Sequence, residues 1–194
     1  MQYITKVGSA IEEVFEDLAQ LRIIVFRAFP YLYEGSVAYE KEYLKTYTTS
    51  GRSFLFAVYD ANQMIGATTC IPLTDEMSEV RKPFEEADLD TSSIFYFGES
   101  ILLPDYRGHG LGNRFFDERE QHAQSFGTFK TTCFCSVVRP ENHPARPVNY
   151  RPLDEFWTKR GYHKEPRLRS YMKWPDIGES TSTAKPMVYW MKEL

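Results

Sequence analysis

The sequence predicts a mixed α/β (α+β) fold, on three observations. Apolar residues near the N-terminus recur at the spacing of one helix face. Two β-prone apolar runs, residues 53–59 and 64–71, flank Asp60-Ala-Asn-Gln63, which is a hairpin signal. A strand-like run over 94–103 passes through a glycine-rich turn into an amphipathic helix, and a further strand follows it, which describes a right-handed βαβ unit.

The elements follow in order. Residues 2–7 read as a short strand. Ser9-Ala-Ile-Glu12 has capping-box spacing, and Ile11, Val14, Phe15, Leu18, Leu21 and Val25 then share a helix face that ends before Pro30. A second helix spans about 37–47, after the aromatic loop Phe29-Pro-Tyr-Leu-Tyr-Glu34. The hairpin strands come next. Residues 74–93 break the pattern with seven carboxylates and read as an inserted acidic surface excursion. Beyond the strand at 94–103, Leu111, Phe115, Arg119, His122 and Phe126 share one face of a helix, with Gly127 at its C′ position. Residues 131–138 form another strand. Pro152 and Gly161 bracket a short helix as first residue and C′ residue. Strands near 167–174 and 186–193 complete the order βααββ, insertion, βαβαββ.

With 194 residues the chain fits one domain, 1–194, carrying the excursion at about 74–93. Its 42% hydrophobic and 26% charged residues are an ordinary globular balance. A net charge of −4 and the lack of a basic face argue against nucleic acid as a partner. No apolar run reaches bilayer length and the N-terminus lacks signal-peptide character, so no membrane role is expected and a cytoplasmic location is. The three cysteines are an odd number, which argues against a disulfide framework. Cys133 and Cys135 share a strand face as small core residues or, alternatively, as a redox or metal pair. The four histidines have no ligand spacing, so no metal is predicted.

The chemistry is concentrated in Leu102-Leu-Pro-Asp-Tyr-Arg-Gly-His-Gly-Leu-Gly-Asn113. A glycine-rich turn that opens a helix offers unpaired N–H groups and the positive end of the helix dipole to an anion. Gly108, Gly110 and Gly112 leave room for phosphate oxygens against the backbone. The dinucleotide fingerprint G-x-G-x-x-G fails, because its third glycine falls on Asn113, and no Walker A lysine is present.

What fits is R-x-x-G-x-G, read as Arg107, Gly110 and Gly112. This resembles the pyrophosphate loop of the GNAT superfamily of acyl-CoA-dependent N-acyltransferases. Phe156-Trp-Thr-Lys-Arg-Gly-Tyr162 is similar to that superfamily's aromatic-x-x-x-Gly-[Phe/Tyr] element, and the element order matches over residues 2–174. The resemblance implies a central mixed, mostly antiparallel sheet, splayed at the cofactor site and flanked by helices. It implies acetyl-CoA, or a related acyl-CoA, as cosubstrate. The backbone of Ile101, Leu102 and Leu103 would pair with the pantetheine arm. The N–H groups of Arg107, Gly108, His109, Gly110, Leu111, Gly112 and Asn113 would hold the pyrophosphate. Asn142 matches an asparagine often found near the cofactor, or else stabilises its own turn.

Amide formation from a thioester calls for a base, since a lysine-like amine with a pKa of roughly 10.4 is mostly protonated at neutral pH. Glu99 lies where this superfamily commonly places a carboxylate; a structural ion pair or an edge-facing side chain is the competing reading. The usual tyrosine acid is replaced by Trp157, which leaves Tyr150 as the nearest alternative, while Tyr162 is expected to pack in the core. The acceptor is an amine of a small molecule, peptide or protein. The first two helices and the acidic excursion would form the acceptor side, where the aromatic loop and the carboxylates of 74–90 hint at a cationic acceptor; a solvated acidic loop is the alternative. A catalytically silent acyl-CoA-binding module is the second functional reading, and an interaction protein without cofactor the third. Oligomeric state is left open.

Overall fold

The computed structural model describes residues 1–194. Seven strands form one sheet in the order β1-β2-β3-β4-β5-β7-β6. They are β1 (Gln2–Val7), β2 (Phe54–Asp60), β3 (Gln63–Pro72), β4 (Ile94–Leu102), β5 (Thr131–Val137), β6 (His163–Trp174) and β7 (Thr183–Glu193). All neighbours are antiparallel except β4 and β5, which are parallel. The mixed, mostly antiparallel sheet is therefore the predicted one. No helix is long and apolar enough to cross a membrane.

Strand alternation sends side chains to two separate cores. On one face, α1 (Phe15–Phe26) and α2 (Val37–Thr49) bury Leu18, Leu21, Leu44 and Tyr47 against Ala57, Ile71, Tyr96 and Ile101. On the other, α4 (Leu111–Ser125) lays Leu111, Phe115, Phe116 and Ala123 on Phe56, Phe95 and Phe97. Ser36 caps α2 by accepting a hydrogen bond from the Tyr39 N–H at 3.3 Å. Gly127 (φ +66°) and Gly161 (φ +89°) sit just past α4 and α5 (Asp154–Lys159) in the left-handed region, as their C′ assignments require.

Three boundaries differ from expectation. The Ser9–Glu12 capping box is not made: Gly8–Val14 is a 3₁₀ helix without a side-chain cap, and the N–H of Gly8 at its start bonds the Ser53 carbonyl at 3.1 Å. The helix α5 starts at Asp154, so Pro152 precedes it rather than opening it. The acidic segment is also more than a surface excursion. It contains α3 (Ser78–Glu86), whose Val80 and Phe84, four residues apart, are buried, with Phe84 edge-on to Tyr189 at 4.9 Å. Pro83 inside the helix and the surrounding carboxylates disguised that apolar stripe.

β4 carries the irregularity that matters for the site. Its register against β3 shifts between Thr68↔Ser100 and Cys70↔Phe97, so Gly98 and Glu99 together oppose Thr69. The bulge turns Gly98 toward α2, where a Cβ would lie 1.9 Å from the Tyr47 hydroxyl and 2.6 Å from Thr69 Oγ1. Gly98→Ala is therefore expected to cost about 1–3 kcal/mol, as overpacking does, measured by denaturant unfolding. Adding Tyr47→Phe, which removes the clashing oxygen, should recover part of that loss.

Candidate active site

The parallel pairing of β4 with β5 covers only Ile94↔Thr131, Phe95↔Thr132 and Tyr96↔Cys133. Beyond Tyr96 the strands part, and the opening leads into a cleft of about 830 Å³. One wall is the second half of β4, the opposite wall is β5 from Phe134 to Val137, and the start of α4 closes the cleft below. The end of α1, the loop Ala28–Tyr31 and the segment before α5 cover the remaining side.

Gly110, with φ +86° and no side chain to cap, is the N-cap residue just ahead of α4, and Gly108 (φ +82°) turns the chain before it. The N–H groups of Gly108, His109, Gly110, Leu111, Gly112 and Asn113 have no hydrogen-bond partner within the protein; the first helical bond is Arg114 N–H to the Gly110 carbonyl, at 3.2 Å. Six consecutive free donors at a helix N-terminus make an anion cradle. Gly108, Gly110, Gly112 and Asn113 line the cleft, while His109 is exposed and Leu111 is buried beneath the helix start.

Arg107 departs from the expected role. Its N–H is spent on the Pro104 carbonyl at 3.1 Å, and its guanidinium Nε donates to the Leu102 carbonyl at 3.2 Å. Leu103 is likewise unavailable: its N–H donates to Ile65 at 2.9 Å and its carbonyl accepts from Tyr106 at 3.1 Å. Because Leu103 faces β3, alternation points the backbone of Ile101 the same way and that of Ser100 and Leu102 to the open edge. Of the three residues expected to pair with an extended ligand, Leu102 alone turns a free backbone group to the open edge, its N–H, since its carbonyl is taken by Arg107 Nε. Asn142 is exposed in the loop after β5 and does not line the cleft, whereas Asn149 does.

Glu99 lines the cleft and is only 3% exposed. The bulge turns it toward α1, where Arg22 Nη1 donates to its Oε2 at 2.5 Å. Arg22 Nε in turn bonds Glu40 of α2, so one guanidinium serves two buried carboxylates. The other oxygen of Glu99, Oε1, has no partner. Burial pushes the Glu99 pKa above the ordinary carboxylate range; Arg22 opposes this, and Glu40 adds to it. The ion-pair reading of Glu99 is thus present in the structure, together with a second, buried oxygen that has no partner, in a residue that lines the cleft. Sequence reasoning missed Arg22 and Glu40. The available signal was an arginine on the apolar face formed by Leu18, Leu21 and Val25.

Tyr150 also lines the cleft, half-buried, with its ring edge-on to Phe29 at 4.7 Å and Arg146 over it at 5.0 Å. Burial raises its pKa, with Arg146 pulling the other way, so it holds its proton at neutral pH. Trp157 packs edge-on against Phe134 (5.0 Å) and Trp190 (5.1 Å). Tyr162 is core, bonded to Thr132 Oγ1 at 2.9 Å and donating to Glu120 at 3.1 Å. Cys133 is buried; Cys135, on the same face, lines the cleft and meets the Tyr96 hydroxyl at 3.2 Å.

The acceptor side is corrected in part. Phe29, Pro30 and Tyr31 of the aromatic loop do line the cleft, and Arg139 bolts that loop down by bonding the Pro30 and Tyr31 carbonyls at 2.8 Å. No residue of α2 or of 74–93 lines the cleft. Two carboxylates of that segment are engaged elsewhere: Asp75 accepts from Ser50 at 2.6 Å, and Glu76 is buried against the Met77 N–H at 2.7 Å.

The model of the acetyltransferase (GNAT) family matches residues 18–153. No curated protein matches the chain in sequence. Among solved structures, the chain is similar to Arabidopsis thaliana NAA60 in complex with a bisubstrate analogue, at 13% identity and TM-score 0.59, covering 100% of this chain and 99% of that one. It is similar to an aminoglycoside 6'-N-acetyltransferase complexed with coenzyme A (15%, 0.58), over 98% of this chain and 96% of that one. The ribosomal-protein-alanine N-acetyltransferase of Brucella melitensis is a further likeness (12%, 0.57), over 98% and 99%.

Proposed function

The chain belongs to the acetyltransferase (GNAT) family and is an acyltransferase, and on that premise we propose that it transfers the acyl group of acetyl-CoA or a related acyl-CoA directly to an amine. The observation that carries this reading is the run of six free N–H groups, Gly108–Asn113, four of whose residues line the cleft where β4 and β5 part. Those donors would take the pyrophosphate, and the open edge of β4, at Ser100 and the Leu102 N–H, would face the pantetheine arm and the thioester, the Leu102 carbonyl being held by Arg107 Nε. The thioester supplies an activated acyl carbon.

The attacking amine must be neutral. Glu99, held by Arg22 at one oxygen and free at the other, accepts the proton that the nitrogen gives up as the C–N bond forms. An N–H of the open β4 edge, that of Leu102, would stabilise the developing oxyanion. When the C–S bond breaks, the departing thiolate has a conjugate acid of pKa roughly 8.5 and needs little help. Tyr150 returns a proton to it, or water does. The acceptor lies on the side covered by Phe29, Pro30 and Tyr31, and this aromatic cover suits an amine presented on a small molecule or a chain terminus.

Free-thiol release from acetyl-CoA should rise above background with at least one member of a panel of polyamines, amino acids, aminoglycosides and peptides. Thiol release that no amine stimulates, at any pH from 6 to about 9, would contradict the assignment. Tyr150→Phe, which deletes only a hydroxyl, should lower kcat by less than about tenfold with acetyl-CoA binding intact, since the thiolate is already a good leaving group; a larger drop would make Tyr150 the obligatory acid.

A further inference from the structure

Arg119 is an unusual residue for the middle of an amphipathic helix. It is 2% exposed, and its guanidinium lies between the rings of Phe97 (4.3 Å) and Phe116 (4.6 Å). Its Nε donates to the Phe115 carbonyl at 3.1 Å, but Nη2 has no partner and the side chain forms no ion pair. The carboxylates whose charge reaches it are taken: Glu120 by Arg160, Lys192 and Tyr162, and Glu99 by Arg22. Burial pushes its pKa down to about 10, so it remains charged at neutral pH. A buried charge without a counter-charge is costly, and the two aromatic faces offset only part of that cost.

Position says where a counter-charge would come from. Phe97 is the first residue of β4 beyond the last pair with β5, Tyr96↔Cys133, so the guanidinium sits at the apex of the splay. It lines the cleft from the α4 side, the wall whose N-terminus carries the free N–H groups. The amine acceptor approaches from the opposite face, where Glu99 meets Arg22.

We propose that Arg119 is a specificity-determining residue that binds a carboxylate at the end of the acyl chain, so that the preferred donor is a dicarboxylic acyl-CoA rather than acetyl-CoA. The inference rests on the acyl-CoA reading above and names the acyl class at that site. A full positive charge with an unused donor matches an anion better than the neutral amide carbonyls of pantetheine, because an ionised partner both bonds Nη2 and balances the charge. An acyl chain ending in a methyl leaves both unmet.

Calorimetry with four probes tests this: CoA, acetyl-CoA, butyryl-CoA and succinyl-CoA. The last two have the same number of acyl carbons and differ at the terminus, methyl against carboxylate, so wild-type protein alone is decisive. Succinyl-CoA is expected to bind at least tenfold more tightly than butyryl-CoA. Arg119→Met should erase that difference while CoA affinity stays within threefold, and Arg119→Lys should retain part of it. Equal affinity of the wild-type protein for the two C4 donors would overturn the proposal. So would an equal loss for all four probes in a folded Arg119→Met variant, which would move the partner into the pantetheine arm. Failure of CoA itself to bind would instead sink the acyl-CoA reading, so the two failures are distinguishable.

Discussion

Gly110→Val is expected to weaken coenzyme A binding by roughly 10²- to 10⁴-fold while leaving the sheet and both cores in place. A Cβ at Gly110 meets nothing in the protein within 4 Å, so the substitution creates no internal clash. The damage is to the loop. Gly110 sits at φ +86°, a region that a β-branched residue adopts only under strain, and the relaxed alternative rotates the N–H groups of 110 and its neighbours out of their common direction. Each hydrogen bond to a charged acceptor contributes about 1.5–3 kcal/mol, so losing two accounts for the stated range at 1.4 kcal/mol per tenfold. Arg107→Ala should do much less. Its N–H already serves Pro104 and its guanidinium the Leu102 carbonyl, so it shapes the loop's entry rather than the cradle. Titration calorimetry gives the affinities, and thermal unfolding verifies that each variant folds. Unchanged affinity in folded Gly110→Val would mean that the cradle does not bind the cofactor.

Glu99→Gln is expected to lower kcat by about 10²-fold or more, the scale of general base catalysis, with acyl-CoA affinity nearly unchanged. The amide keeps the shape and still accepts from Arg22, which retains Glu40 as its ionic partner, so the fold should survive. The pH profile separates a base from a structural ion pair. Burial raises the Glu99 pKa, so the carboxylate protonates on acidification sooner than an exposed glutamate does. Because the base works only when ionised, wild-type activity should fall as pH drops through that raised value. The variant should lack this acid limb. Its deficit should also shrink as pH rises, since more of the acceptor then arrives deprotonated. A variant of equal kcat at neutral pH, or one that keeps the acid limb, would confine Glu99 to its ion pair.

Much of the fold was legible because periodicity reports burial directly. The 3.6-residue spacing in α1 and α4, and the β-prone runs around Asp60–Gln63, follow from one face or both being covered. The α3 helix was not legible, since its buried stripe is only Val80, Pro83 and Phe84, set among carboxylates and including a proline, which argues against a helix interior. The glycine-rich loop was legible as an anion site because its chemistry is local: glycines, a helix start and nothing else. Which donors are free was not, because that depends on where neighbouring carbonyls fall. Arg107 and Leu103 are consumed by Pro104, Ile65 and Tyr106, contacts that a linear motif does not encode. Glu99 stood out as a carboxylate in an apolar strand, yet its partners come from residues 22 and 40, brought together only by the bulge at Gly98–Glu99 and by helix packing. Arg119 lay in plain sight on the helix face it shares with Phe115, and its meaning depended on the absence of any ion-pair partner around it.

Everything proposed for this cleft depends on the free N–H groups of Gly108–Asn113, at the mouth of the splayed strands, holding the pyrophosphate of an acyl-CoA. Calorimetric titration of the wild-type protein with coenzyme A tests that dependence most directly, since it needs neither the acceptor nor the acyl group. Saturable one-to-one binding is expected, competed by ADP-containing fragments that keep the pyrophosphate and lost in Gly110→Val. No saturable binding at roughly millimolar coenzyme A, where even a complex of about −4 kcal/mol is half-formed, would contradict it.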